Sequence, residues 1–256
     1  MNALFKYLYH FLDGSNIFGS QRIVEKFFSP KVTSYSFYGE DILIQSVIDR
    51  IKYEVGISLK LNYVDIGAWR PIRGSNTYLF YKMGSSGTVV EPNIAFKKHW
   101  KVLRPRDNHI EAACGNMAQA KLYFFEKDSP ANTLSPDFAA KIMKKEQIIL
   151  GGSYDVDVIS LSEILKLHLS RFSGDYFLDI DVEGLDYDVI SSFDFVSLQR
   201  PIMVVIEDNA SKVLESNINQ FLESKNYSIV ARTPISSLYL DFSRDEIIHA
   251  KAISRI

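Results

Sequence analysis

Cysteine is almost absent: Cys114 stands alone in 256 residues. That excludes an internal disulfide framework and fits a reducing compartment, so a cytoplasmic location is expected. A basic excess is missing too. Lys and Arg total 29 against 31 Asp and Glu, a formal charge of -2, so nothing offsets a phosphate backbone and nucleic acid is not an expected partner. No run approaches the roughly 20 apolar residues that cross a bilayer, so no transmembrane segment is expected. The first stretch, MNALFKYLYHFLDGSN, is apolar and aromatic but carries only Lys6 and no small-residue cleavage site, so a signal peptide is not expected. Leu4, Phe5, Leu8, Phe11 and Leu12 share one helical face. Docking on the domain, or on a second copy as a homodimer, is the expectation for that face, with peripheral membrane contact as the alternative; the basic residues of membrane-surface helices are lacking.

A dinucleotide fingerprint is also missing. After the strand-like run from Leu61 to Ile66 comes Gly67-Ala68, but Trp69 and Ile72 stand where G-x-G-x-x-G requires glycine. The backbone then has no means of wrapping a pyrophosphate, which argues against NAD. A ligand with ribose and adenine but no phosphate tolerates this looser turn.

What is present begins with YVDIGAWRPIRGSNTYLFYKMGSSGTVVE, Tyr63 to Glu91. It reads as a buried strand closing on Asp65, a small-residue turn, a helix capped by Ser75 or Asn76, and a second strand with Glu91 at its tip. An acid at that tip is placed to accept hydrogen bonds from both hydroxyls of a ribose. Upstream, residues 1–36 read as an N-terminal helical extension, and 37–256 as one domain. FYGEDILIQSVIDRIKYE carries Ile42, Leu43, Ser46, Val47 and Ile51 at helical spacing, and Glu40 and Asp41 suit the macrodipole of its first turn.

Farther on, PNIAFKKHWKVLRPRD reads as a helix and Asn108 to Ala113 as a third strand. Lys121 to Phe125 reads as an excursion strand, and DSPANTLSP as either a lid or a surface loop. Ser153 to Ile159 leads into SLSEILKLHLS, where Ser160 and Glu163 have capping-box spacing. Tyr176 to Asp181 and Pro201 to Glu207 are apolar strands ending in acids, and NYSIVARTPISSLYLDF reads as a terminal antiparallel pair. Strands one, two, four and five thus end in Asp65, Glu91, Asp181 and Glu207. In an open parallel sheet these ends lie along one edge, so the four acids are expected around a single cleft.

The chain resembles the FkbM-type S-adenosylmethionine-dependent methyltransferases. The resemblance rests on GED at 39–41, VDIGA at 64–68, SNT at 75–77, FY at 80–81, VEPN at 90–93, RP at 104–105, DVEGLD at 181–186, and RP with VVIE at 200–207. Trp69-Arg70 and Asp179 depart from the family pattern. The resemblance implies an α/β fold of class I methyltransferase (Rossmann-like) type: a seven-stranded sheet, helices on both faces and a C-terminal antiparallel hairpin. It implies S-adenosylmethionine as cofactor, with Asp65 and Gly67 under the methionine part, Glu91 on the ribose, Ala113 and Cys114 beside the adenine, and Ala68, Asn76 and Pro92 completing the set.

For chemistry, Asp181 is the first candidate, as a base or as the ligand of a cation on the acceptor oxygen, with Glu183 and Glu207 beside it. FLDID at 177–181 with EDN at 207–209 resembles the magnesium-holding strand ends of catechol-type O-methyltransferases, which implies Mg2+ or Mn2+ on Asp181, Glu207, Asp208 and Asn209. The alternative for that set is that Glu207 and Asn209 only cap a helix and orient loops. His109 reads as core or subunit contact, His99 and His168 as helix surface, and Cys114 as a packing residue rather than a nucleophile. Trp69, Tyr78, Tyr81 and Trp100 are candidate stacking faces.

The expected function is O-methylation of a hydroxyl on a small-molecule or glycan acceptor, a sugar of a surface glycan or glycosylated metabolite being favoured. The alternatives are N-methylation of a small molecule, or a glycan- or nucleoside-binding protein without turnover.

Overall fold

The computed structural model describes residues 33–56, 58–116, 119–208 and 213–244. The predicted N-terminal helices and the face carrying Leu4 to Leu12 lie outside the described residues. From Ser34 onward the chain forms one compact unit.

Helix α1 (Glu40–Val55) buries Ile44, Val47, Ile48 and Ile51, the i, i+3, i+4, i+7 stripe of a core-facing helix. The stripe lies off the predicted face: Ser46 is exposed and its hydroxyl donates to the Ile42 carbonyl at 2.8 Å. The two acids of its first turn do more than complement a dipole. Asp41 is fully buried and accepts from the Tyr35 N–H and the hydroxyls of Ser34 and Ser36, while Glu40 accepts from Thr233 Oγ1 at 2.8 Å.

The chain continues through β1 (Asn62–Ile66), α2 (Tyr78–Lys82), β2 (Gly87–Val90), α3 (Lys97–Leu103) and β3 (Asn108–Ile110), then β4 (Ala113–Cys114), β5 (Gln119–Phe124), α4 (Pro136–Glu146) and β6 (Gly152–Ile159). The second half holds α5 (Leu161–Arg171), β7 (Tyr176–Ile180), α6 (Asp186–Ser191), β8 (Met203–Glu207), α7 (Asn217–Ser224), β9 (Tyr227–Arg232) and β10 (Ser236–Asp241).

Seven strands form the main sheet in the order β3-β2-β1-β7-β8-β10-β9. β3, β2, β1, β7 and β8 pair in parallel, and β10 runs antiparallel to both its neighbours, so the predicted terminal hairpin is present. The central strands are buried on both faces, which is why they read as near-continuous apolar runs. Tyr63, Phe177, Met203 and Leu238 pack with α1 to α3 on one face; Val64, Leu178, Val204 and Tyr239 pack with α5 to α7 on the other. That split is the two-residue alternation of a strand.

Two expectations need correction. The third strand does not run from Asn108 to Ala113. β2 ends at Val90, where Pro92 soon removes a ladder donor; its pairing with β3 stops at Ile110, and Ala113-Cys114 pairs instead with Val158 and Ile159 of β6. That switch forms a second, three-stranded sheet and carries Ala113 and Cys114 to the end of β2. His168 is not on a helix surface. Its ring is buried against Tyr176 and Phe172 and its Nδ1 lies 3.3 Å from Thr88 Oγ1; burial pushes its pKa down to about 4, leaving a neutral core group.

Candidate active site

At the carboxyl end of β1 the chain turns on Gly67, at φ 82. A Cβ there would stand 1.9 Å from the Asp181 carbonyl oxygen, so only glycine lets the turn lie against the tip of β7. Val90 C=O receives both the Gly67 and Ala68 N–H groups, locking the turn to the end of β2. Glu91 follows, buried, and each carboxylate oxygen accepts one backbone N–H, from Trp69 and from Asn93, both at 2.7 Å. Burial raises its pKa to about 7 against the opposing pull of those N–H groups.

Glu91, Pro92, Ala113 and Cys114 line a cavity beside this turn. Its far wall is the stretch read as lid or surface loop: Ser129, Pro130, Asn132, Thr133 and Leu134 all face the cavity. The loop is anchored at four points. Asn93 Nδ2 donates to Lys127 C=O at 2.6 Å, Trp69 Nε1 donates to Asp128 C=O at 3.0 Å, Arg70 pairs with the Asp128 carboxylate, and Thr133 Oγ1 donates to Glu183 C=O at 2.8 Å.

Beneath the turn lies a buried polar chain in which the sequence marks Asp65 and Ser75 but gives no role to Thr77, Arg104, Asp107 or Tyr63. Asp65 accepts from Thr77 Oγ1 at 2.6 Å, and Arg104 Nη1 donates to that same Thr77 oxygen at 3.0 Å and to Ser75 Oγ at 3.1 Å. Arg104 Nε pairs with Asp107 at 2.6 Å, both side chains fully buried, and Asp107 also accepts from Tyr63 OH and the Gly87 N–H. Burial lifts Asp65 to about 6, with Thr77 and Arg104 opposing. The N-cap of α2 is Thr77, not the predicted Ser75 or Asn76; Ser75 Oγ accepts from the Tyr78 N–H from two residues before that cap, while Asn76 turns its amide to both oxygens of Asp179, at 3.2 and 3.1 Å.

The third group gathers past β7. Asp181, Asp186 and Glu207 bring one carboxylate oxygen each within 4.8 Å of one another, and Glu183, in the left-handed region at φ 55, stands beside them. Burial, then Glu207 and Glu183, push the Asp181 pKa well above the carboxylate range. Burial and Glu207 likewise raise Glu183 to about 8 and Asp186 to about 7. Asp186 was not among the predicted ligands; its oxygens also accept from the Val182 and Gly184 N–H groups. Asp208 does not join the cluster, because it is buried and accepts from Ser216 Oγ at 2.7 Å. Asn209 lies outside the described residues. Three hard oxygen donors at this spacing match the chemistry of a divalent cation.

A second cavity opens over Asp65, Asn76, Asp179, Asp181, Glu183 and Glu207. It shares Gly67, Trp69, Pro130, Asp181 and Glu183 with the first, so the acids past β7 stand at the junction of two spaces. Of the predicted stacking faces only Trp69 reaches them. Trp100 is buried on His109, and Tyr78 and Tyr81 stack on each other. Phe37 and Tyr38, which sequence reading passed over, line the second cavity instead.

A parallel sheet closed by one reversed strand, with acids and cavities at its carboxyl edge, has the architecture of a methyltransferase fold. The family model described as Methyltransferase FkbM domain matches residues 65–229, and the chain belongs to that family. Comparison with curated proteins and with solved structures gives no match.

Proposed function

We propose that the chain is an S-adenosylmethionine-dependent O-methyltransferase acting on a hydroxyl, with a sugar of a glycan or glycosylated metabolite as the favoured acceptor. The observation that carries this reading is the position of Asp181 and Glu183 on both cavities, between the Glu91 end and the open acidic end. Donor and acceptor bound in adjoining spaces would meet at those two residues.

The cofactor supplies an electrophilic methyl group on a sulfonium. Glu91, already fixed by two backbone N–H groups, keeps lone pairs for a ribose diol, and a carboxylate accepting two hydroxyls suits that ligand. Ala113 and Cys114 are small enough to admit a flat ring. Burial pushes the Cys114 thiol up to about 12, which keeps it neutral and unreactive beside the adenine. Asp181, with Glu183 next to it, takes the proton of the acceptor hydroxyl as the methyl group arrives; a carboxylate raised toward neutrality is a stronger base than an ordinary one. A magnesium or manganese ion would be held by Asp181, Asp186 and Glu207, and would lower the acceptor's pKa instead.

Calorimetry with S-adenosylmethionine and with its demethylated product tests the reading. Both should bind the folded protein. Binding of neither would remove the cofactor, and with it the reaction.

A further inference from the structure

We propose that Phe37 and Tyr38 form the acceptor platform of the second cavity, a seat for the C–H face of a saturated ring, and that Glu40 is the positioning residue that holds it. The inference rests on the methyltransferase reading, since it names what grips the acceptor in that same site.

The platform shows in what these side chains leave uncovered. Phe37 and Tyr38 line the cavity yet are 52% and 54% exposed, well beyond what core aromatics show. Phe37 meets the Trp69 ring at 5.5 Å between centroids, so the exposed rim continues into a third ring that also lines the cavity. Gly74 makes that approach possible: a Cβ there would lie 2.7 Å from both rings. Ala68 and Ile235 extend the apolar lining, and Asn76 and Asp179 supply polar groups. Contiguous exposed aromatics on a cavity mark a ligand site. Flat apolar faces close to polar groups fit a ring with C–H groups on its face and hydroxyls at its edge. A carboxyl bonds such a hydroxyl in either protonation state, so the fit does not depend on the charge of the lining.

What fixes the rim is Glu40, a buried side chain. Its Oε2 accepts the Tyr38 N–H at 3.0 Å, and its Oε1 accepts from Thr233 Oγ1 at 2.8 Å and from Ser236 Oγ at 3.5 Å. Thr233 and Ser236 close the turn between β9 and β10: Thr233 N–H donates to the Ser236 carbonyl at 2.9 Å, and Ser236 N–H to Thr233 Oγ1 at 3.0 Å. Ile235, between them, lines the same cavity. One buried side chain thus ties together two stretches of the lining that lie 193 residues apart in the chain. Just before the rim, Tyr35 N–H donates to Asp41 Oδ2 and Tyr35 C=O accepts the Gly74 N–H, both at 2.7 Å. The aromatic pair is therefore held from both sides ahead of binding, which lowers the ordering cost that a ligand has to offset.

The test uses the full chain loaded with demethylated cofactor, titrated with methyl pyranosides of gluco, galacto and manno configuration and with the matching alditols, and followed by the ligands' own proton resonances. The alditols carry comparable hydroxyls and no ring face. Their flexibility also disfavours them, so the variants decide. In at least one configuration the pyranoside should bind. Phe37→Ala, a change at an exposed side chain, should weaken it about fivefold or more and change any alditol binding less than about twofold, as expected for loss of one stacking face. Glu40→Gln keeps size but leaves one oxygen for two ties, and should weaken the pyranoside alone by a similar factor. Thr233→Val should do the same and Thr233→Ser, which keeps the hydroxyl, should not; that contrast stands even where Glu40→Gln fails to fold. Affinity for the cofactor product should be unchanged throughout. A pyranoside affinity that Phe37→Ala and Tyr38→Ala both leave unmoved overturns the platform. A lowered melting temperature with unmoved pyranoside affinity in Glu40→Gln and Thr233→Val overturns the positioning role. Binding of no pyranoside by a chain that binds the cofactor product overturns the whole proposal. Failure to bind the cofactor product would instead overturn the methyltransferase reading, and this inference with it.

Discussion

Trp69 donates its backbone N–H to Glu91 at 2.7 Å from a left-handed conformation, φ 45. A tryptophan held there costs of order 1–3 kcal/mol and persists only where its surroundings over-determine it. They do so here: Trp100 Nε1 donates to the Trp69 carbonyl at 3.2 Å and the Trp69 indole donates to Asp128. The acid proposed for the ribose and the loop that walls the cavity are therefore held through one residue.

Glu91→Ala should weaken S-adenosylmethionine binding by about 1.5–3 kcal/mol, the scale of a pair of charge-assisted hydrogen bonds. Calorimetry on a folded variant measures it. Unchanged affinity would remove Glu91 from the site.

Gly67→Ala forces a Cβ into the Asp181 carbonyl at a positive φ, whereas the same change at Gly84, also at positive φ, meets open space. Both should lose stability, the first by clearly more than about 1 kcal/mol, and only the first should lose cofactor binding. Denaturant melts of the two variants compare them, and equal losses would mean the close approach of β1's turn to β7's tip is unimportant.

Asp181→Asn keeps size and removes charge. As the base, Asp181 lost in this way should lower turnover on the order of 10²–10⁴-fold while cofactor binding survives. As a metal ligand, its role would show in the unmutated enzyme, with activity lost in EDTA and restored by magnesium or manganese. Full activity in the variant together with indifference to EDTA defeats both roles.

Arg104→Met leaves the Asp107 carboxylate buried without its cation. Breaking one side of such a pair costs about 3–5 kcal/mol. A loss under about 1 kcal/mol in urea denaturation would show the pair to be dispensable, as exposed pairs are.

Stability should fall as pH rises above about 6.5. Glu91, Asp186 and Glu183 titrate near 7, 7 and 8 in the folded chain, against ordinary values of 4.5, 3.8 and 4.5. In that interval the folded chain binds more protons than the unfolded one, so the slope of unfolding free energy with pH is negative. His168 acts in the opposite sense but lower: its pKa falls from 6.5 to about 4, so its contribution grows across that window and is complete above it. Thermal melts of the cofactor-free protein near pH 6.5 and pH 8.5 give the comparison, and Glu183→Gln should flatten the upper part of the decline. A melting temperature that rises between those two values sinks the assignment.

The strands were legible because buried parallel strands declare themselves as apolar runs ending in acids, and Asp65, Glu91, Asp181 and Glu207 fall where those runs end. The Ser160–Glu163 capping box was legible for a similar reason, being a local pattern whose two hydrogen bonds form within one turn. What stayed hidden depends on tertiary placement. Asp208 and Glu207 are adjacent in sequence, yet opposite sides of a strand end send one to Ser216 and the other toward Asp181. Arg104, Phe37 and His168 carry no local sign of being, respectively, buried, rim-forming and core. The departure at Asp179 is explained by a partner 103 residues away, Asn76.

The pairing of β1 with β7, from Asn62 with Tyr176 to Ile66 with Ile180, also bears on how the chain is made. Ribosomal synthesis delivers β1, β2 and β3 long before β7, so one edge of the central strand waits unpaired while the whole stretch from Gly67 to Asp175 emerges. An apolar parallel edge left open in that way is a site for misassociation, and closing so long a loop is entropically slow. The sheet can therefore be completed only after most of the chain is available, which makes the nascent first half the stage at which this protein most needs protection from aggregation.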